Sequence, residues 1–85
     1  PGPLREHIYI QQSRWLDSIS RMAARAVRDG DFRADLDTAQ FAFEFNAIGL
    51  GCNLAKRLLQ DPMADQRARA AFERLVEHAR TTASP

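Results

Sequence analysis

The segment from Thr38 to Gln60 limits what this chain can fold into more than any other. Read as a helix at about 100° per residue, it gathers Phe41, Phe45, Ile48, Cys52, Ala55 and Leu59 into one stripe. Phe43, Ala47, Leu50, Leu54 and Leu58 form a second stripe on another side. Glu44 and Gly51 lie between the two, and Asn46, Asn53, Lys56, Arg57 and Gln60 occupy the remaining arc, left for solvent. Roughly 220° of the circumference is therefore apolar or small, against about 100° for an ordinary surface helix. Such a helix requires cover on two sides.

The flanking sequence supplies two candidate covers. From Leu4 to Asp29, apolar residues recur at helical spacing at Ile8, Trp15, Ile19, Met22 and Ala26, with Leu16 and Ala23 widening the stripe. Arg14, Ser18, Arg21, Arg25 and Arg28 lie on the opposite face, and Gly30 is the expected left-handed stop. In the connector that follows, Phe32 and Leu36 are expected to tuck against the helix ends. Asp37 reads as the N-cap of the second helix, with Gln40 placed to reach back as in a capping box. Asp61-Pro62 starts a third helix to about Arg80, with Ala68, Ala71, Phe72, Leu75 and Ala79 on one face. Asp65 with Arg69, and Arg69 with Glu73, are spaced to pair on its exposed side. The tail Thr81–Pro85 is expected to fray.

The expected fold is thus all-α, with three long helices at about 4–29, 38–60 and 62–80 in a single helical domain spanning 1–85. A chain of 85 residues buries a limited share of its surface. Each Leu or Phe left exposed forgoes roughly 1.5–3 kcal/mol of burial. A second copy removes the deficit, because two helical hairpins packed together form a four-helix bundle. The sequence therefore predicts a homodimer built from the last two helices. Its interface is expected to hold Ala47, Leu50, Gly51, Leu54 and Leu58, facing Ala68, Ala71, Phe72, Leu75, Val76 and Ala79. Gly49 and Gly51 would allow close approach, and Phe41, Phe45, Ile48 and Cys52 would turn towards the first helix.

Composition narrows the function classes. A hydrophobic content of 45% with 27% charged residues is that of a folded soluble chain, and a net charge of +1 gives no global basic field for nucleic acid. One cysteine, Cys52, excludes an internal disulfide and fits a reducing, cytoplasmic setting. No apolar run is long enough to span a bilayer, so no membrane partner is expected. His7 and His78 have no carboxylate or thiol at a metal-ligand spacing, and the Asp29, Asp31, Asp35, Asp37 run lacks the glycine and bidentate Glu of a calcium loop. Cys52 sits within an apolar stripe and has no base beside it in sequence. Nothing here assembles an enzyme, a metal site or a cofactor site. The Arg14, Arg21, Arg25, Arg28 face reads as a solvated helix face, or one contacting a neighbouring acidic helix, rather than a phosphate site.

The run from Ala26 to Asp37 has the form A-x-x-x-G-x-x-R-x-D-x-D. It is followed by Phe41-Ala42-Phe43-Glu44-Phe45-Asn46-Ala47-Ile48-Gly49-Leu50-Gly51, and then by Arg57-Leu58-Leu59-Gln60-Asp61-Pro62 leading into an Ala/Arg-rich helix. From Leu4 to Arg80 this order resembles the C-terminal effector-binding and dimerisation domain of TetR-family transcriptional regulators. The resemblance implies a repressor whose N-terminal helix-turn-helix binds operator DNA, while this part dimerises and senses a small apolar or amphipathic effector. It places the first helix beside the effector pocket, with Trp15, Ile19 and Met22 as lining, joined by Phe41, Phe45, Ile48 and Cys52. The chain opens at Pro1-Gly2-Pro3 and is expected to be a fragment of a larger regulator without its helix-turn-helix. The alternative is a stand-alone helical protein–protein interaction module. The 85-residue chain itself is expected not to retard DNA sequence-specifically in an electrophoretic shift assay; a sequence-specific shift would contradict this.

Overall fold

A computed structural model describes residues 2–80 and contains three α-helices: α1 (Pro3–Arg28), α2 (Thr38–Arg57) and α3 (Ala64–Ala79). The only β-bridge among the described residues is an isolated antiparallel one between Phe32 and Arg80, so the fold is all-α. The tail from residue 81 lies outside the described residues. Among the described residues, no helix is long and apolar enough to cross a membrane.

The helix ends follow from local chemistry. α1 begins with Pro3 at its first position, where the missing N–H costs no intrahelical bond. It ends in a Schellman motif: Gly30 at φ 83° lets Asp31 N–H reach Ala26 C=O at 2.9 Å and Gly30 N–H reach Val27 C=O at 3.1 Å. Asp37 caps α2 as expected, its Oδ1 accepting from Gln40 N–H at 3.0 Å. The reciprocal half of a capping box is not made, since Gln40 Nε2 donates to Glu44 Oε2 instead.

Two boundaries depart from the sequence reading. α2 stops at Arg57 rather than Gln60, because Gln60 adopts φ 51° and Asp61 N–H turns back to Ala55 C=O at 2.9 Å. α3 begins at Ala64 rather than Pro62, because Asp61 holds a tight turn first. Its Oδ1 accepts from Met63 N–H at 2.9 Å and its Oδ2 pairs with Arg67 at 3.0 Å. The pairs expected within α3 give way to one across the hairpin, where Asp65 meets Lys56 at 3.1 Å.

The middle element is α2. It packs on both α1 and α3, whereas no Cα of α1 lies within 8 Å of one in α3. The Cα atoms span 49 × 34 × 13 Å, a shallow slab. The core gathers at one end, where Ile19 and Ala23 of α1, Phe41 and Ala42 of α2, and Leu75 and Ala79 of α3 are buried together. Phe32 and Leu36 pack against this cluster from the connector, as their isolation in a charged loop predicted. Arg33 N–H donates to Ala79 C=O at 2.9 Å, which ties the connector to the end of α3. By contrast, residues 3–15 of α1 are all exposed.

Two glycines predict opposite effects. Gly30→Ala meets no atoms within 4 Å but must hold φ 83°, so it lowers unfolding free energy by about 1–2 kcal/mol. Gly49→Ala, in mid-helix with equally open space, raises it by about 0.5–1 kcal/mol. Urea unfolding of the two variants checks both signs.

Candidate functional site: a three-helix groove and an uncovered stripe

Because α1 and α3 meet α2 but not each other, a groove opens between them. It has a volume of about 330 Å³ and is lined by Gln12 and Trp15 of α1, by Phe45, Asn46, Gly49, Leu50 and Asn53 of α2, and by Phe72 of α3. Trp15 is half exposed, and its Nε1–H donates to Asn46 Oδ1 at 3.0 Å. A second clasp lies nearer the core, where the Ser20 and Thr38 hydroxyls are 3.2 Å apart. The other wall follows from tilted ring contacts: Phe45 and Phe72 have centroids 4.9 Å apart, and the series continues through Phe41 to Phe32.

Of the seven residues expected to line a pocket, two do so in this groove: Trp15 and Phe45. Ile19 and Phe41 are buried in the core, where they support the groove without reaching it. Met22 is exposed on α1 and lines none of the concavities described below. Ile48 and Cys52 were expected to turn towards α1, but they face α3. Cys52 Sγ lies 3.8 Å from Ala64 C=O, and Ile48 lines a concavity with Ala71 and Leu75. Phe45 likewise meets α3 through a tilted contact with Phe72. The cause is side-chain size. α3 presents Ala64, Ala68 and Ala71, which leave room for Ile48 and Cys52, while Phe45 meets the Phe72 ring. α1 presents Trp15, Leu16 and Ile19, which meet the smaller Ala42 and the Asn46 amide.

Sequence reasoning missed Gln12, Asn46, Gly49, Leu50, Asn53 and Phe72 as groove residues. Asn46 and Asn53 were placed in the solvent arc, while Leu50 and Phe72 were assigned to a subunit interface. The available signal was the i,i+7 spacing of the two asparagines, which puts both carboxamides on one face beside Gly49.

The second surface is the stripe of α2 that neither neighbour covers. Phe43, Leu50, Leu54 and Leu58 are 65%, 57%, 53% and 70% exposed, and Ala47 and Gly51 are exposed with them. Beside it, a concavity of about 420 Å³ between α2 and α3 is lined by Glu44, Ala47, Ile48, Ala71, Arg74, Leu75 and His78. The α3 residues expected at a subunit interface are divided. Leu75 and Ala79 are buried within the chain, whereas Ala68, Ala71, Phe72 and Val76 are half-buried.

Three further concavities carry charge. One on the outer face of α3 includes Glu73, Glu77 and Arg80. Another at the connector includes Arg33, Asp37, Glu44 and His78. The third, beside Cys52, includes Asp61 and Arg67. Among the described residues, no three His, Cys, Asp or Glu side chains converge as a metal-binding group.

The Trp15–Asn46 bond predicts a measurable coupling. In a double-mutant cycle of Trp15→Phe and Asn46→Ala followed by urea unfolding, the two changes should couple by about 0.5–1 kcal/mol, in the range of one part-exposed hydrogen bond. Additive losses would show that the two side chains do not hold α1 to α2.

Residues 1–72 match the family described as tetracyclin repressor-like, C-terminal domain, a match that takes in α1, α2 and the first half of α3. No curated protein and no solved structure matches the chain.

Proposed function

Since the chain belongs to the family of tetracyclin repressor-like C-terminal domains, we propose that it is the dimerising and effector-sensing part of a transcriptional regulator. Domains of this family belong to transcriptional regulators rather than to enzymes as a rule. The observation that carries the reading is the uncovered stripe of α2. Four large apolar side chains stand exposed along one face of a helix already packed on two neighbours. Each is worth roughly 1.5–3 kcal/mol when buried, which a small domain can hardly forgo. A second copy covers them with its own α2–α3 hairpin, and the pair forms a four-helix bundle.

The groove on the other side of α2 is the effector site in this reading. Leu50 belongs to both surfaces: it lines the groove and lies in the exposed stripe. A ligand that moves Leu50 or the Trp15–Asn46 clasp therefore acts on the same helix that joins the subunits. In the intact regulator, effector binding would shift the population between two arrangements of the dimer and so of the DNA-reading segments attached to it. Operator DNA is bound through those segments and not through this domain.

Leu54→Arg tests the interface. Sedimentation of the parent chain should show a dimer at micromolar concentration, and the variant should sediment as a monomer with unchanged helical circular dichroism. A variant that remains a folded dimer would move the interface elsewhere. A parent chain that stays monomeric at all concentrations would remove the dimerising role.

A further inference from the structure

We propose, resting on the sensing role above, that the three-helix groove selects a neutral planar ring compound with a lactam or amide edge and rejects ions of either sign. Three features of the groove lead there. No ionisable side chain lines it, whereas each of the four other concavities described above carries at least two. A charged ligand there would give up water without meeting a counter-charge, which is unfavourable.

Aromatic surface comes from all three helices, as Trp15, Phe45 and Phe72. Between them, Gly49 leaves the wall open, since a Cβ built there meets nothing within 4 Å. Flat ligands stack or pack edge-on against such rings. The volume of about 330 Å³ lies at the small end of ligand pockets, a size that suits one or two fused rings.

The polar lining consists of carboxamides, Gln12, Asn46 and Asn53. A carboxamide donates through its NH₂ and accepts through its oxygen, so the set matches a ligand edge that offers both. The orientation of Asn46 is fixed by its partner. The Trp15 indole N–H can only donate, so Oδ1 faces it at 3.0 Å and the Nδ2 amine is left as a donor at the groove wall. A lactam supplies the matching C=O and N–H side by side; a carboxylate supplies acceptors only, and a quaternary cation supplies neither.

The test is a nitrogen–proton NMR titration of the labelled 85-residue chain, whose one tryptophan gives a single indole signal from Trp15. The probes are 2-quinolone, quinoline-2-carboxylate and N-methylquinolinium, which share a bicyclic frame and differ in charge. 2-Quinolone should shift the Trp15 indole and Asn46 side-chain signals. The two ions should bind at least about tenfold more weakly, the equivalent of one unpaired polar group. Asn53→Leu should weaken 2-quinolone by about fivefold or more while leaving circular dichroism unchanged; should that variant not fold, Gln12→Leu on exposed α1 gives the same reading. An ion that shifts the same signals as tightly overturns the selectivity and leaves the sensing role standing. Binding of 2-quinolone unaffected by either carboxamide substitution overturns the amide recognition alone. No shift at Trp15 with any probe overturns the groove as a site for flat ring compounds and leaves the sensing role of the intact regulator standing.

Discussion

α2 is the one helix that touches both of the others, and α1 and α3 stay more than 8 Å apart in Cα distance. The fold is therefore two helix pairs that share a member. Every long-range feature depends on how the surface of that member is divided. At its N-terminal half, Phe41 and Ala42 join residues from the C-terminal halves of α1 and α3 in one buried cluster. Further along, a groove separates the two outer helices across α2. A closed core at one end and an open groove beyond it are consequences of the same geometry.

The division of the α2 surface follows from side-chain size. The alanines of α3 admit Ile48 and Cys52, and the Phe45–Phe72 contact extends the aromatic series from the connector into the hairpin. Towards α1, where the partner side chains are large, α2 offers Ala42 and the Asn46 amide, and the contact is completed by two polar clasps. Close packing rewards this pairing of large with small. The connector is held by the same economy of parts: a Schellman turn at Gly30, ring packing at Phe32, and one backbone bond from Arg33 to the end of α3.

What remains of α2 is an apolar stripe facing outward, and Leu50 links it to the groove. The groove and the exposed stripe thus lie on a single helix, without any intervening chain of contacts. The charge distribution separates the two further. The groove is free of ionisable lining, while the concavity beside the stripe includes Glu44, Arg74 and His78.

The all-α architecture, the three helices, the Gly30 stop and the Asp37 cap were legible in the sequence, because they rest on periodicity and on interactions between residues a few positions apart. The excess of apolar surface on α2 was legible for the same reason. The partner of each stripe was not, since periodicity gives the angle between two faces of a helix but not the identity of its neighbours. Ile48 and Cys52 turn to α3 where its alanines leave space for them and Phe45 meets Phe72, while Leu75 and Ala79 are buried in the core with Ile19, Ala23, Phe41 and Ala42. The ends of α2 and α3 were decided by Asp61 serving a turn and by the left-handed Gln60. The groove was hidden for a similar reason: a polar residue such as Asn46 reads as solvent-facing until the tertiary structure brings Trp15 of a distant segment to within 3.0 Å of its oxygen. The sequence by itself determined which surfaces α2 must bury; only the tertiary structure decided what buries them, because that depends on the volumes two helices bring to one another.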